Sequence, residues 1–147
     1  MKYLIIFSLF FSNNLFAKEI IMRNIDNDFS NTWISLQKYI KKQGHQIAFR
    51  QRCDFALKQR HFDTQLYRIL FFGQYQKIKE IVKRNPKIIP HLPLSITVVE
   101  SNNKETLLIT ASLEYLINLV KSEQDKEIIR QWSKDVLQIV DNVKNDF

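Results

Sequence analysis

The chain has 147 residues, 45% of them hydrophobic and 25% charged, with a formal net charge of +7. That is room for one ordinary domain with its own core, and it excludes a disordered chain. The single cysteine, Cys53, excludes an intramolecular disulfide.

The first 17 residues, "MKYLIIFSLFFSNNLFA", stand apart. Lys2 supplies a short positive start, Tyr3 to Phe11 is apolar apart from Ser8, and Leu15-Phe16-Ala17 ends in the small residue that suits signal-peptidase cleavage. The apolar run of about 9 residues is too short to span a bilayer, which needs about 20. The reading is a cleaved signal peptide over 1–17, against the alternatives of an uncleaved anchor or a buried N-terminal strand. The mature chain then begins near Lys18 in a periplasmic or secreted bacterial protein that is not transmembrane after cleavage. An oxidising compartment favours burial of the lone Cys53 thiol. A reactive or metal-bound Cys53 has no His or second Cys at ligand spacing to support it.

Further elements follow in order. "KEIIMRNI" is a short strand. Asp28 and Ser30 are candidate N-caps for a helix carrying Phe29, Trp33, Leu36 and Ile40 on one face, and Gly44 ends it. "HQIAFRQRC" reads as a strand with Ile47, Phe49 and Cys53 on one face and Arg50 and Arg52 on the other. Asp54 is placed to cap a short helix. "LYRILFFGQ" is the strongest strand of the chain. "YQKIKEIVKRNP" is a helix with Tyr75, Ile78, Ile81 and Val82 inward, stopped at Asn85-Pro86. "LSITVVE" and "TLLIT" form a hairpin across "SNNKE". Residues 112–147 read as helical, with one stripe at Leu113, Leu116, Ile117 and Val120. A second stripe runs Ile128, Trp132, Val136, Ile139 and Val143, and Ser122 to Asp125 can cap a new helix between them. The organisation expected is a signal peptide (1–17), an α+β core (18–111) and a C-terminal helical segment of the same domain (112–147).

The order of these elements, with "KKQGHQI", then "FFGQY", then His91-Leu92-Pro93-Leu94 entering a strand, resembles the domain of unknown function 302 family, a small bacterial module. The resemblance covers about Ile20 to Tyr115 and places Gly44 and Gly73 on family glycine positions. It implies an α+β fold of the TATA-binding-protein-like type, a curved, mainly antiparallel sheet packed on helices, and a homodimer. It implies no activity. The chain departs from the family pattern at Gln74-Tyr75, where Asn-Pro is usual, at His91, where an acid is usual, and in the hairpin, which lacks its turn glycine.

Gly44, Gly73, Leu92, Pro93 and Leu94 are therefore structural motif residues. Pro90 and Pro93 steer the backbone away from helix and into the sheet, which leaves His91 pointing to solvent. Lys38 to Lys87 holds 13 Lys/Arg against Asp54, Asp63 and Glu80. Within it Arg50, Arg52, Lys58, Arg60 and Arg68 form a candidate anion-binding patch, the plainer alternative being a solvated basic face. In an exported protein its partner is an anionic membrane surface, a polyanionic sugar or an acidic protein rather than nucleic acid. There is no glycine-rich phosphate loop, Cys-x-x-Cys or His-Glu-x-x-His. His45, His61 and His91 lack ligand spacing, so no metal, cofactor or catalytic residue is assigned. The expectation is an exported, non-catalytic module that binds a small molecule or a protein partner. The alternative is an enzyme, or a redox or metal accessory, with a site assembled from dispersed residues.

Overall fold

A computed structural model describes residues 20–101 and 104–147, so the signal-peptide reading lies outside the described residues. The strands are β1 (Ile20–Ile25), β2 (Gln46–Arg52), β3 (Tyr67–Gly73), β4 (Leu94–Glu100) and β5 (Thr106–Ala111). The helices are α1 (Phe29–Lys42), α2 (Cys53–Lys58), α3 (Tyr75–Arg84) and α4 (Glu123–Lys144), with 3-10 turns at Pro86–His91 and Glu114–Leu119. The five strands make one sheet in the order β1-β5-β4-β3-β2, antiparallel at every pairing. The α+β architecture with a long C-terminal helix is thus as expected.

Local chemistry explains the boundaries. Asp28 Oδ1 accepts the Asn31 N–H at 2.9 Å and caps α1. The helix closes in a Schellman motif: His45 N–H donates to the Ile40 carbonyl and Gly44 N–H to that of Lys41, with Gly44 at φ +76°. A Cβ on Gly73 would meet the end of the Ile78 side chain, so this glycine leaves room for Ile78 of α3 against β3. α2 closes in the same hydrogen-bond pattern as α1, Phe62 to Leu57 and His61 to Lys58, but with His61 at φ +64° in the glycine position.

Alternate strand residues build the core. Leu70 and Phe72, Leu94, Ile96 and Val98, and Leu108 face the helices and are buried. From α1 come Phe29, Leu36 and Ile40, and from α4 come Ile129, Trp132, Val136, Ile139, Val140 and Val143. Ser122 Oγ accepts the Asp125 N–H at 3.1 Å, which starts α4 where the sequence suggested. Asp125 receives hydrogen bonds from Arg84 and from Asn85 Nδ2, tying α4 to the end of α3. Deeper in, His45 Nε2 meets Asp135 Oδ2 at 2.9 Å, and the Asp135 Oδ1 accepts from Gln131.

Several local expectations are corrected. The register slips between Ile47 and Phe49, so Ile47 shares the helix side with Phe72 while Phe49 pairs with Phe71 on the other side. A bulge of this kind reverses the alternation, and Arg50 and Arg52 fall on the helix side. Ile129, not Ile128, is the fully buried isoleucine of the α4 stripe, and Ile128 packs half-buried at its edge. Both satisfy helical spacing, and the position of the sheet chooses between them. Tyr75 is exposed, because it is the first residue of α3 and the inward stripe begins a turn later at Ile78. Residues 114–119 form a 3-10 turn, and the chain is extended again at Val120 before α4. Asp54 does not cap α2. It is buried inside the first turn, with Arg68 Nε 3.8 Å away. Trp132, Val136, Ile139 and Val143 are buried within their own chain.

Candidate functional site

The helices cover one face of the sheet. On the other, successive rows read Phe49–Phe71–Ser95, Gln51–Ile69–Thr97–Ile109–Met22 and Tyr67–Val99–Leu107–Asn24 across the strands. Ile20, Met22 and Phe49 are each more than half exposed, and the central residues are half-buried by their neighbours alone. A face this apolar, left open to solvent, is a candidate interaction surface. Its signal was legible. "YRILFF", "ITVV" and "TLLIT" are apolar at both alternating positions, whereas an antiparallel sheet with one solvated face normally alternates apolar with polar.

Two clefts lie on this face. The first, about 190 Å³, sits where the Pro86–His91 turn and the chain after β5 overhang the ends of β3, β4 and β5. Its wall is His91, Pro93, Leu113 and Tyr115 over a floor of Phe71, Ser95 and Ala111. The second, about 410 Å³, is floored by Tyr67, Thr97, Val99 and Ile109 and edged by Thr64 and Gln65. Ser95 and Val99 are four residues apart on β4, so the clefts succeed one another along about 13 Å of strand.

His91 does not point freely into solvent. Its Nδ1 lies 3.0 Å from the Tyr115 hydroxyl, and the rings meet edge to face at 5.2 Å. Burial raises the Tyr115 pKa above its usual 10, which keeps the phenol protonated. The partner lies 24 residues downstream, beyond any local pattern. The turn that carries His91 includes Pro90, contrary to the helix-avoiding reading. A 3-10 turn tolerates it, because the bonds run from Ile88 N–H to Asn85 and from Leu92 N–H to Ile89 and do not need a proline N–H. The Leu92–Pro93 bond is cis, and Leu94 enters the core at the start of β4.

The basic residues divide. Arg50 donates to Gln37 of α1 at 2.9 Å, Arg52 lies 5.0 Å over the Phe55 ring, and Lys58 and Arg60 are exposed. Arg68 turns inward, its guanidinium 4.9 Å over Phe29 and 5.9 Å over Trp33 and facing Asp54. It braces the sheet against α1 and does not join the other four. Cys53 is half-buried, short of the full burial expected, because it opens α2 at the rim. Its thiol pKa is raised by burial, partly offset by a hydrogen bond with Tyr67, whose own pKa burial also raises. Among the described residues no three His, Cys, Asp or Glu side chains gather as a metal site. Nor does any helix among them have the length and apolarity to cross a membrane.

No curated protein matches the sequence. Among solved structures the fold is similar to the crystal structure of an uncharacterised conserved protein DUF302 from Bacillus stearothermophilus. The TM-score is 0.73 at 17% identity, over 84% of this chain and 97% of that one. The profile of the domain of unknown function DUF302 matches residues 21–143, nearly all of the sheet and its helices, and the chain therefore belongs to the DUF302 family.

Proposed function

We propose that this protein is an exported, non-catalytic binding module that takes a small molecule on the open face of its sheet. The observation that carries the reading is the pair of consecutive clefts, the larger mainly apolar and the smaller richer in hydrogen-bonding groups. The larger cleft, at about 410 Å³, falls by itself in the range of small-molecule sites, which are mostly apolar with a small number of placed polar groups, and the smaller one of about 190 Å³ adds polar groups at one end. The hydrophobic start at residues 1–17 supports export. A homodimer is compatible with the same surface, and the exposed cations Arg50, Arg52, Lys58 and Arg60 support contact with an anionic surface.

One observation favours an enzyme as the second reading. His91 and Tyr115 stand at hydrogen-bond distance inside a cleft, the arrangement a proton-transfer pair requires. Native mass spectrometry of protein taken from its host's periplasm tests both readings. The binding reading expects a retained organic molecule that is released on denaturation, and an N-terminus at or near Lys18. Ligand-free protein, or an intact Met1 on exported protein, refutes the corresponding half. Turnover of the retained molecule would favour the enzyme.

A further inference from the structure

The two clefts differ in chemistry, and the difference specifies a ligand. The larger one offers side chains of Tyr67, Val99 and Ile109 with Thr97 as its one central hydroxyl. The smaller one ends against His91, with Ser95 in its floor, and no Asp or Glu lines it. Tyr115 occupies Nδ1 of His91. When the phenol donates to that nitrogen, the neutral ring carries its proton on Nε2. When the ring is protonated, both nitrogens carry hydrogen. In both of these states Nε2 presents an N–H, and only the neutral tautomer that donates from Nδ1 to the phenol oxygen would leave it bare; among the described residues Nε2 has no partner. The Ser95 hydroxyl is a second donor at the same end, its backbone carbonyl being taken by Thr110 Oγ1 at 2.8 Å. Two donors at a carboxylate-free end, followed along the strand by a mainly apolar floor whose one central hydroxyl is Thr97, match a molecule with an anionic oxygen pair and a straight apolar tail.

We propose that the open face binds a single-chain aliphatic carboxylate. Its carboxylate sits between His91 Nε2 and Ser95 Oγ, and its chain runs along β4 over Thr97, Val99 and Ile109 towards Gln65. This names the ligand class for the binding reading above and rests on it. The Tyr115 hydroxyl holds the imidazole edge towards the cleft. The overall positive charge of the chain adds a general attraction for anions without setting the position of the head group.

Calorimetric titration with decanoate and with decan-1-ol separates this inference from the reading beneath it. For the native sequence decanoate is expected to bind at least tenfold tighter than the alcohol. His91→Phe is expected to bring decanoate to the level of the alcohol, and an unchanged circular dichroism melting curve shows that the variant is folded. His91→Gln, which keeps an N–H, is expected to retain part of the carboxylate preference. Ile109→Glu is expected to abolish both. Equal binding of the two probes, unaffected by His91→Phe, overturns the carboxylate assignment and leaves apolar binding standing. Failure of both probes overturns the aliphatic-chain assignment, and the native mass spectrum then decides the binding reading separately. Sedimentation of a dimer that Ile109→Glu dissociates would then assign the face to a second copy of the chain.

Discussion

Replacing Asp125 by Asn should make the stability of this protein lose part of its dependence on acid. The carboxylate is almost fully buried and accepts from Arg84 Nε, Arg84 Nη2 and Asn85 Nδ2. The Arg84 hydrogen bonds, more than those of Asn85 and Ser122, hold its pKa at about 2 against the usual 3.8, in spite of the opposing effect of burial. At 1.36 kcal/mol per pH unit this corresponds to about 2 kcal/mol. The Arg84 side chain is 44% exposed. Solvent screening at that end brings the expected contribution down to about 1–2 kcal/mol. The folded pKa lies below the unfolded one, so the stabilisation is fully present above about pH 4 and is lost as pH falls towards 2. Urea unfolding of the native sequence and of Asp125→Asn at a series of pH values measures it. The difference should be about 1–2 kcal/mol at pH 7 and should shrink steadily between pH 4 and pH 2. Because both proteins carry the same remaining carboxylates, their titrations cancel. A gap that stays constant across that interval refutes the argument.

Gly44→Val places a β-branched side chain at φ +76° and should cost more than about 1 kcal/mol, read as a lower urea midpoint; an unchanged midpoint removes the cap argument. The reverse holds at His61, where Gly suits φ +64° better, so His61→Gly should raise stability by about 0.5 kcal/mol in the same assay. Truncation after Ser122 removes Trp132, Val136, Ile139 and Val143 from the core and, at about 1.5–3 kcal/mol for each large side chain, should unfold the domain as judged by circular dichroism. Sedimentation of a well-folded truncated chain would show that α4 is dispensable. Co-flotation with anionic vesicles should weaken steeply between low and physiological salt if Arg50, Arg52, Lys58 and Arg60 act together, and Arg68→Gln should not change it.

Local chemistry made much of the fold readable. Asp28, Gly44 and Ser122 delimit helices through atoms within a few residues of themselves, so their positions could be inferred from neighbours alone. The strand runs "YRILFFG", "LSITVVE" and "TLLIT" are β-branched or aromatic enough to name themselves, and their order with the glycines and Leu92-Pro93-Leu94 was enough to reveal the family. Three things depended on contacts across the chain. The slip at Ala48, which moves Phe49 to the open face and Arg50 to the helix side, is fixed by pairing with β3 and leaves no mark in the alternation of β2 itself. Arg68 belongs to the interior because Phe29, Trp33 and Asp54, far apart in sequence, form a place for one guanidinium. His91 gains its orientation from Tyr115 only when the chain after β5 turns back over the sheet end. A sequence lists side chains along one line, and a cleft is formed by residues that share a location in three dimensions. The candidate site was therefore present in the sequence as apolar strands and scattered polar residues, and only the antiparallel register brought them together.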